Sequence, residues 1–284
     1  MAWTRIDPHT HSTCSDGTDT PTRLMEKARE AGLDVIGLTD HDTTAGWDEA
    51  ARAVPTTGVA LLRGTEISCA ADGVTVHMLS YLHDPAAPGL RRIYADVHDS
   101  RRERVADMVE RLSRDFPITL ADVEAQAGEG VAIGRPHIAD ALIAAGCFTH
   151  RNEAFASVLS PRSPYYVRYQ APDPLDVIAA IREAGGVPIF AHPRPLGRQR
   201  RVVPTPVIAR WVDAGLAGLE VDHPDHTAEW RCALHVIAGH FGLIETGSSD
   251  FRGRGKTTRL GENLTRPEAL AAICEAGALP LITP

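Results

Sequence analysis

Long hydrophobic runs are missing from this 284-residue chain. No stretch approaches the roughly eighteen uninterrupted apolar residues of a membrane helix, and the N-terminus, MAWTRIDPHTHS, lacks the apolar segment of a secretory leader. Aromatic residues are sparse at 5%, so an apolar content of 43% rests on Ala, Val, Leu and Ile and predicts an aliphatic core. Cysteines are few: Cys14, Cys69, Cys147, Cys232 and Cys274 are scattered, form no Cys-x-x-Cys pair, and read as reduced thiols rather than a disulfide framework. A basic surplus is also absent, with 29 Lys and Arg against 37 Asp and Glu and a net charge of −8. That balance argues against a stable nucleic-acid complex held by a general basic surface. It leaves a small anionic substrate open, because bound divalent cations invert the local field. The expectation is a soluble, cytoplasmic protein with no membrane partner.

What the chain does have is length enough for a substantial core, 23% charged residues in ordinary globular proportion, and thirteen histidines. Short apolar runs alternate with helical patterns. A first strand, Arg5 to Asp7, leads into His9. Thr20-Pro21 opens a helix as cap and first residue, and Gly32 closes it. Asp34–Thr39 reads as a buried strand, Gly46–Val54 as a helix, and Gly58–Arg63 as a strand reaching Glu66. Val74–Leu82 is a strand with His77 inside it. This rhythm predicts a parallel sheet or barrel.

From residue 85 to 164 the rhythm breaks. Leu90–Asp115 is a long amphipathic helix, followed by shorter helices near Leu120–Ala127, Pro136–Ala145 and Asn152–Leu159. Residues 85–164 are therefore expected to form a helical insertion covering the active site of a domain built from 1–84 and 165–284. Strand–helix alternation returns with Pro174–Ala184, Val187–Ala191, Pro204–Ala214, Ala217–Val221, Ala228–Phe241 and Leu243–Glu245. A helix near Pro267–Ala276 and a terminal strand end the chain.

Polar residues punctuate the strand ends: His9 and His11, Asp40 and His41, Glu66, His192, Glu220 and Asp250. Parallel α/β barrels gather catalytic groups at the carboxyl ends of strands. His9-Thr-His11 has period two, which points both imidazoles to one side and lets them share a metal. Taken singly the others have plain alternatives. Asp40 and Asp42 suit capping acids, Glu66 a strand-end glutamate, and His77 and His192 satisfied core histidines.

In order along the chain stand Asp7-Pro-His9-Thr-His11-Ser12, Ser15-Asp16-Gly17, Leu38-Thr39-Asp40-His41-Asp42 and Gly64-Thr65-Glu66-Ile67-Ser68. Gly134-Arg135-Pro136-His137, Ala191-His192-Pro193, Gly218-Leu219-Glu220-Val221 and Gly247-Ser248-Ser249-Asp250-Phe251 follow. Over nearly its whole length the chain thereby resembles the PHP (polymerase and histidinol phosphatase) family, especially its nucleotide-phosphoesterase branch. The resemblance implies an α/β fold, a distorted (β/α)7 barrel with an inserted helical subdomain. It also implies two or three divalent transition metal ions, Mn2+, Fe2+ or Zn2+. By position His9, His11, Glu66 and Asp250 would hold a first metal, and Glu66, His77 and His192 a second. Asp16 and His41 would contribute to a third. The family's last motif usually reads Ser-Asp-x-His-Gly, whereas here it is Ser249-Asp250-Phe251-Arg252-Gly253. Arginine cannot ligate a metal. The expectation is a weak or empty third site, with Arg252 contacting a substrate phosphate.

The implied activity is hydrolysis of a phosphate monoester by metal-activated water, on a small phosphorylated nucleotide such as a nucleoside 3′,5′-bisphosphate losing its 3′-phosphate. Asp40, His41 and His223 are the candidates for moving protons. Arg135 and His137 at a helix start, His223 after the strand bearing Glu220, and Arg252 are candidates for binding substrate. Lys256 and Arg259 would add positive charge nearby, or be solvated loop charges. Two other readings remain: an amidohydrolase-type metal hydrolase, which shares the His-x-His pair, and a metal-dependent nucleotide sensor impaired in turnover by Arg252.

Overall fold

Thr20 accepts a hydrogen bond from the Arg23 backbone N–H and Pro21 takes the first helical position, so α1 starts where the sequence places it and runs Pro21–Glu30. Comparable local signals set the other elements of the computed structural model. It describes residues 3–71, 73–127, 133–168, 171–194, 202–255 and 257–284; Lys256 lies outside them. The strands are β1 (Ile6–Thr10), β2 (Val35–Leu38), β3 (Ala60–Ala71), β4 (Val74–Tyr81), β5 (Val187–Ala191), β6 (Gly218–Asp222) and β7 (Ile244–Gly247). The remaining helices are α2 (Trp47–Thr57), α3 (Pro88–Leu112), α4 (Leu120–Glu124), α5 (Arg135–Ala144), α6 (Arg151–Ala156), α7 (Pro174–Glu183), α8 (Thr205–Asp213), α9 (Ala228–Phe241) and α10 (Pro267–Ala276). No helix among the described residues is long and apolar enough to cross a membrane.

All seven strands form one sheet in chain order. A parallel bridge from Thr10 to Phe251, with His11 N donating to Phe251 O at 2.9 Å, brings the segment after β7 back to β1 and nearly closes the barrel. β1, β2 and β3 pair in parallel, as do β5, β6 and β7. β4 runs antiparallel to both neighbours, β3 and β5, because a tight turn through Gly73 (φ 76°) reverses the chain. The reversal brings His77, inside its strand, alongside Glu66, which lies within a β3 that runs past the expected end at Arg63 to Ala71. Register pairs His77 with Ser68, two residues beyond Glu66 on β3, and with Ala191 at the end of β5, next to His192. The terminal strand expected after α10 is a single bridge, Leu61 to Ile282.

The chain divides into two compact units, residues 1–94 with 172–284, and residues 95–171. The divisions fall later than the expected breaks because α3 begins in the first unit. There Leu90 is buried and Tyr94 Oη lies 3.2 Å from His83 Nε2. The barrel unit has an aliphatic interior of Ile6, Val35, Ala60, Leu62, Leu79, Val187, Ile189 and Ala191, to which Tyr81 adds a buried aromatic ring. A second layer packs α1 and α2 on the sheet through Leu24, Met25, Ile36, Leu38, Trp47 and Val54. The helical unit has its own core of Val105, Met108, Val109, Leu112, Ile138 and Leu142. Each fully buried aliphatic side chain contributes about 1.5–3 kcal/mol, so both units carry cores of their own.

His83, just past β4, is buried between Ser80 Oγ (2.7 Å from Nδ1) and the Tyr94 hydroxyl. Burial pushes its pKa down to about 4. The unfolded chain takes up a proton near the ordinary histidine pKa of about 6.5, which the folded chain refuses, so stability holds above that pH and falls as pH drops toward 4. His83→Gln is expected to remove roughly 2 kcal/mol of the stability that wild type loses between pH 7 and pH 5. Urea unfolding at the two pH values measures it, and equal losses in both proteins would refute the assignment.

Candidate metal centre

Period-two alternation along β1 carries His9 and His11 to one face, and their Nε2 atoms come within 3.1 Å. Thr10 points the other way and donates to Gly37 O at 2.6 Å. Glu66 Oε2, from β3, lies 3.3 Å from His9 Nε2 and 3.1 Å from His11 Nε2. Asp250 Oδ1, just past β7, lies 3.7 Å and 3.4 Å from the same two nitrogens. Four ligands at roughly 2.0–2.1 Å around one ion stand about 3.3 Å apart, and this donor set has that spacing.

The other oxygen of Glu66 serves a second set. Oε1 lies 2.6 Å from His77 Nδ1 and 2.8 Å from His192 Nε2, and those nitrogens are 3.4 Å apart. A third group, His11, Asp16 and His41, also brings donors within 4.8 Å of one another. The structure thus gathers eight expected ligands: His9, His11, Asp16, His41, Glu66, His77, His192 and Asp250. Imidazole and carboxylate donors of this kind fit divalent transition metals.

Electrostatics point the same way. Burial works against a charged His9, but Glu220, Glu66 and Asp250 outweigh it and lift its pKa well above the ordinary value. The carboxylates demand a cation, and in its absence the ring takes a proton. Burial also works against the Glu66 carboxylate, yet His41, His77, His9 and His11 hold it well below the usual range. Burial pushes His192 down to about 3, so its ring stays neutral with a lone pair free for coordination.

Several of the gathered donors depend on neighbouring carboxylates whose positioning bonds the sequence does not reveal. Glu220 Oε1 accepts from His9 Nδ1 at 3.0 Å and from Ser248 Oγ at 2.5 Å, while Oε2 accepts from the His192 backbone N–H at 2.8 Å. It therefore fixes the His9 tautomer, leaving Nε2 as the free donor atom. Its position on β6, two residues after Gly218 on a fully buried strand segment, is the available sequence signal. Asp7 accepts from Ser249 N (3.0 Å), Ser249 Oγ (2.6 Å) and Gly261 N (2.8 Å), tying the loop that bears Asp250 to β1. Asp42 accepts from Ser68 N at 2.8 Å and Ser68 Oγ at 3.0 Å, fastening the end of β2 to β3. Asp42, His192 and Asp250 all sit at positive φ (54°, 29° and 46°), a conformation non-glycine residues hold only when their surroundings impose it.

The expected proton carriers are engaged in positioning. Asp40 accepts from Ser12 N (2.8 Å), Ser12 Oγ (2.6 Å) and Ser15 Oγ (2.5 Å), and so anchors the loop carrying Asp16. His223 Nδ1 accepts from Asp225 N at 3.0 Å, which leaves the proton on Nε2 to donate to Asp250 Oδ2 at 3.2 Å. His41 Nε2 accepts from Arg252 at 3.1 Å. Arg252, expected to contact a phosphate, has every guanidinium nitrogen on a protein acceptor. Arg135 and His137 belong to the helical unit. There Arg135 donates to Leu159 O at 3.3 Å and lies over Phe155, while His137 Nδ1 accepts from Gly134 N at 3.0 Å and caps α5. Arg259 N is bonded to Glu262 at 3.0 Å.

Comparison with known proteins gives the family to which the chain is related. The PHP domain family matches residues 7–129. Over 270 residues the chain is 32% identical to a 3′,5′-nucleoside bisphosphate phosphatase of Chromobacterium violaceum, covering 95% of this chain and 93% of that protein. It is 29% identical to a 5′-3′ exoribonuclease of Haemophilus influenzae, over 95% of this chain and 98% of the other. A Bifidobacterium adolescentis structure put forward as a metal-dependent phosphoesterase superposes with a TM-score of 0.94 at 45% identity, covering 96% of each chain.

Removing the carboxylate behind His9 tests the support of the first cage. Glu220→Ala is expected to weaken metal binding about 10- to 100-fold with the fold retained. Competition against a chelating indicator, with circular dichroism as the control, measures it. Unchanged affinity would show that Glu220 does not orient the ligands.

Proposed function

The chain belongs to the PHP family of metal-dependent phosphoesterases, and on that premise we propose that it removes the 3′-phosphate from a nucleoside 3′,5′-bisphosphate. The observation that carries the reading is the shared carboxylate. Glu66 reaches one donor set, His9, His11 and Asp250, through Oε2 and another, His77 and His192, through Oε1. A carboxylate shared between two donor sets would let them hold two divalent ions close together, an arrangement that clamps a phosphoryl group. The likeness to a bisphosphate phosphatase and to an exoribonuclease, both named for nucleotide substrates, supports a nucleotide over other phosphate esters.

His9, His11, Glu66 and Asp250 would hold one ion and Glu66, His77 and His192 the other, with Mn2+, Fe2+ or Zn2+ suiting these ligands. When bound, such ions supply Lewis-acid charge to phosphoryl oxygens and a water of lowered pKa. The protein's own residues hold that arrangement still. Glu220 orients His9 and the His192 backbone, and His223 donates to the outer oxygen of Asp250. Asp7 and Asp40 lock the loops on which Asp250 and Asp16 stand. Asp40, His41 and His223 all have these positioning bonds, so the reading assigns none of them as the proton donor to the leaving oxygen.

The test is phosphate release from adenosine 3′,5′-bisphosphate by protein purified without chelator and supplied with Mn2+. Release from the 3′ position is expected, and His9→Ala should lower it by more than the roughly 10- to 100-fold of an outer-shell change. Faster turnover of short 5′-phosphorylated RNA would move the substrate to oligonucleotides. Cleavage of amides but not phosphate esters would favour the amidohydrolase alternative, and tight nucleotide binding without release the sensor.

A further inference from the structure

Arg252 is a cation built into a ring of metal-type donors. Its side chain is 9% exposed. Nε donates to Asp250 Oδ1 at 3.0 Å, Nη1 donates to Asp16 Oδ2 and, at 3.1 Å, to His41 Nε2, and Nη2 donates to Glu66 Oε2 at 3.4 Å. Three of the four acceptors are carboxylates, and the guanidinium stays charged at any working pH.

The backbone on both sides is shaped to hold this pairing. Gly253, at φ 64°, packs directly against Thr18 Oγ1, and a β-carbon there would also meet Asp19 Oδ2 at 2.8 Å. The next N–H, of Arg254, donates to Thr18 Oγ1 at 2.8 Å. On the other side, a β-carbon on Gly17 would stand 2.5 Å from His11 O, so the turn carrying Asp16 also depends on a glycine. Asp40 fixes the start of that turn through Ser12 and Ser15. The loops bearing Arg252 and Asp16 are therefore fitted to each other, and their contact does not rest on one flexible side chain.

His11, Asp16 and His41 would otherwise offer a third ion a set of ligands. The guanidinium already takes the lone pair of His41 Nε2 and one oxygen of Asp16, Oδ2, which leaves Asp16 Oδ1 without a hydrogen-bond partner among the described residues. A divalent ion held by Asp16 and His41 would stand against a fixed positive charge in a buried site and would lack the His41 Nε2 lone pair, and like charges there repel strongly. We propose that Arg252 is a resident third cation, whose guanidinium holds the place between Asp16 and His41 that a third metal would need and so limits the centre to two metal ions. Positive charge at that corner then does not depend on metal supply. The inference rests on the phosphoesterase reading only for the identity of the two remaining sites.

The experiment counts metals. Wild type, Arg252→His and Arg252→Lys are loaded with Mn2+, desalted and measured by elemental analysis against protein concentration, with thermal unfolding as the check of folding. Two ions per chain are expected in wild type and in Arg252→Lys, which keeps the charge, and three in Arg252→His, which replaces the charge with a ligand. Three in wild type, or two in a folded Arg252→His, overturns the proposal. If Arg252→His does not fold, Arg252→Ala replaces it. It should take up a third, more weakly held ion through Asp16 and His41, and no uptake counts against the proposal. Expected counts without phosphate release would refute the substrate reading and leave the role of Arg252 standing; three ions in an active wild type would do the reverse.

Discussion

A carboxylate with no exposure has lost its water, and Glu66 recovers that loss only through the groups gathered on its two oxygens. Oε2 faces His9, His11, His41 and Arg252; Oε1 faces His77 and His192. Asp16, Glu220 and Asp250 are buried around the same point. Neutral imidazoles cannot balance four carboxylates, and one guanidinium balances only one of them. The remaining deficit is what draws a proton onto His9, and divalent ions would fill it with more charge at less strain. Metal binding and the stability of this end of the barrel are therefore coupled, since any ion that binds the folded donors alone also stabilises the fold.

That convergence needs ligands from strands far apart in sequence, and the reversed β4 is the step that allows it. Were β4 parallel to its neighbours, a histidine in its middle would lie among Val76 and Met78 in the barrel wall. Running backwards, it places His77 beside Ser68 of β3 and the end of β5, within reach of Glu66 and His192. The near closure between Thr10 and Phe251 then carries Asp250 across to the His9–His11 pair. Sheet topology sets these distances, and the helices stabilise the sheet from outside.

Much of this was readable in the chain. Apolar runs located the strands, the Thr20-Pro21 and Gly32 signals bracketed α1, and the polar residues in and after the strands are the ones that the fold brings together. The misses have physical causes. A period-two pattern does not tell a parallel strand from an antiparallel one, so the reversal at Gly73 was invisible and His77 passed equally well for a core residue. Glu220 stood among the strand-end polar residues without a function, because nothing in sequence shows that its two oxygens meet His9 and the His192 backbone. The shift of the unit boundary into α3 follows from tertiary packing of Leu90 and Tyr94, which helical periodicity does not report.

The hardest distinction was between groups that ligate and groups that hold the ligands. Asp40 and His41 are adjacent, both polar, and both follow β2, yet one anchors Ser12 and Ser15 while the other faces Glu66. At a strand end the alternation that sorts side chains by face stops, and the direction of each side chain passes to turns at positive φ such as Asp42, His192 and Asp250. Those conformations persist because hydrogen bonds impose them: Asp42 to Ser68, Glu220 to the His192 N–H, and Asp7 to the Ser249 N–H beside Asp250. The holders are acids like the ligands, so composition cannot separate the two roles. A carboxylate whose oxygens accept from backbone and hydroxyl donors is suited to positioning; one whose oxygens meet imidazoles and a guanidinium stands where a ligand would be. On that footing Asp7, Asp40, Asp42 and Glu220 belong to the frame, and Glu66 and Asp250 to the donor cluster that it surrounds.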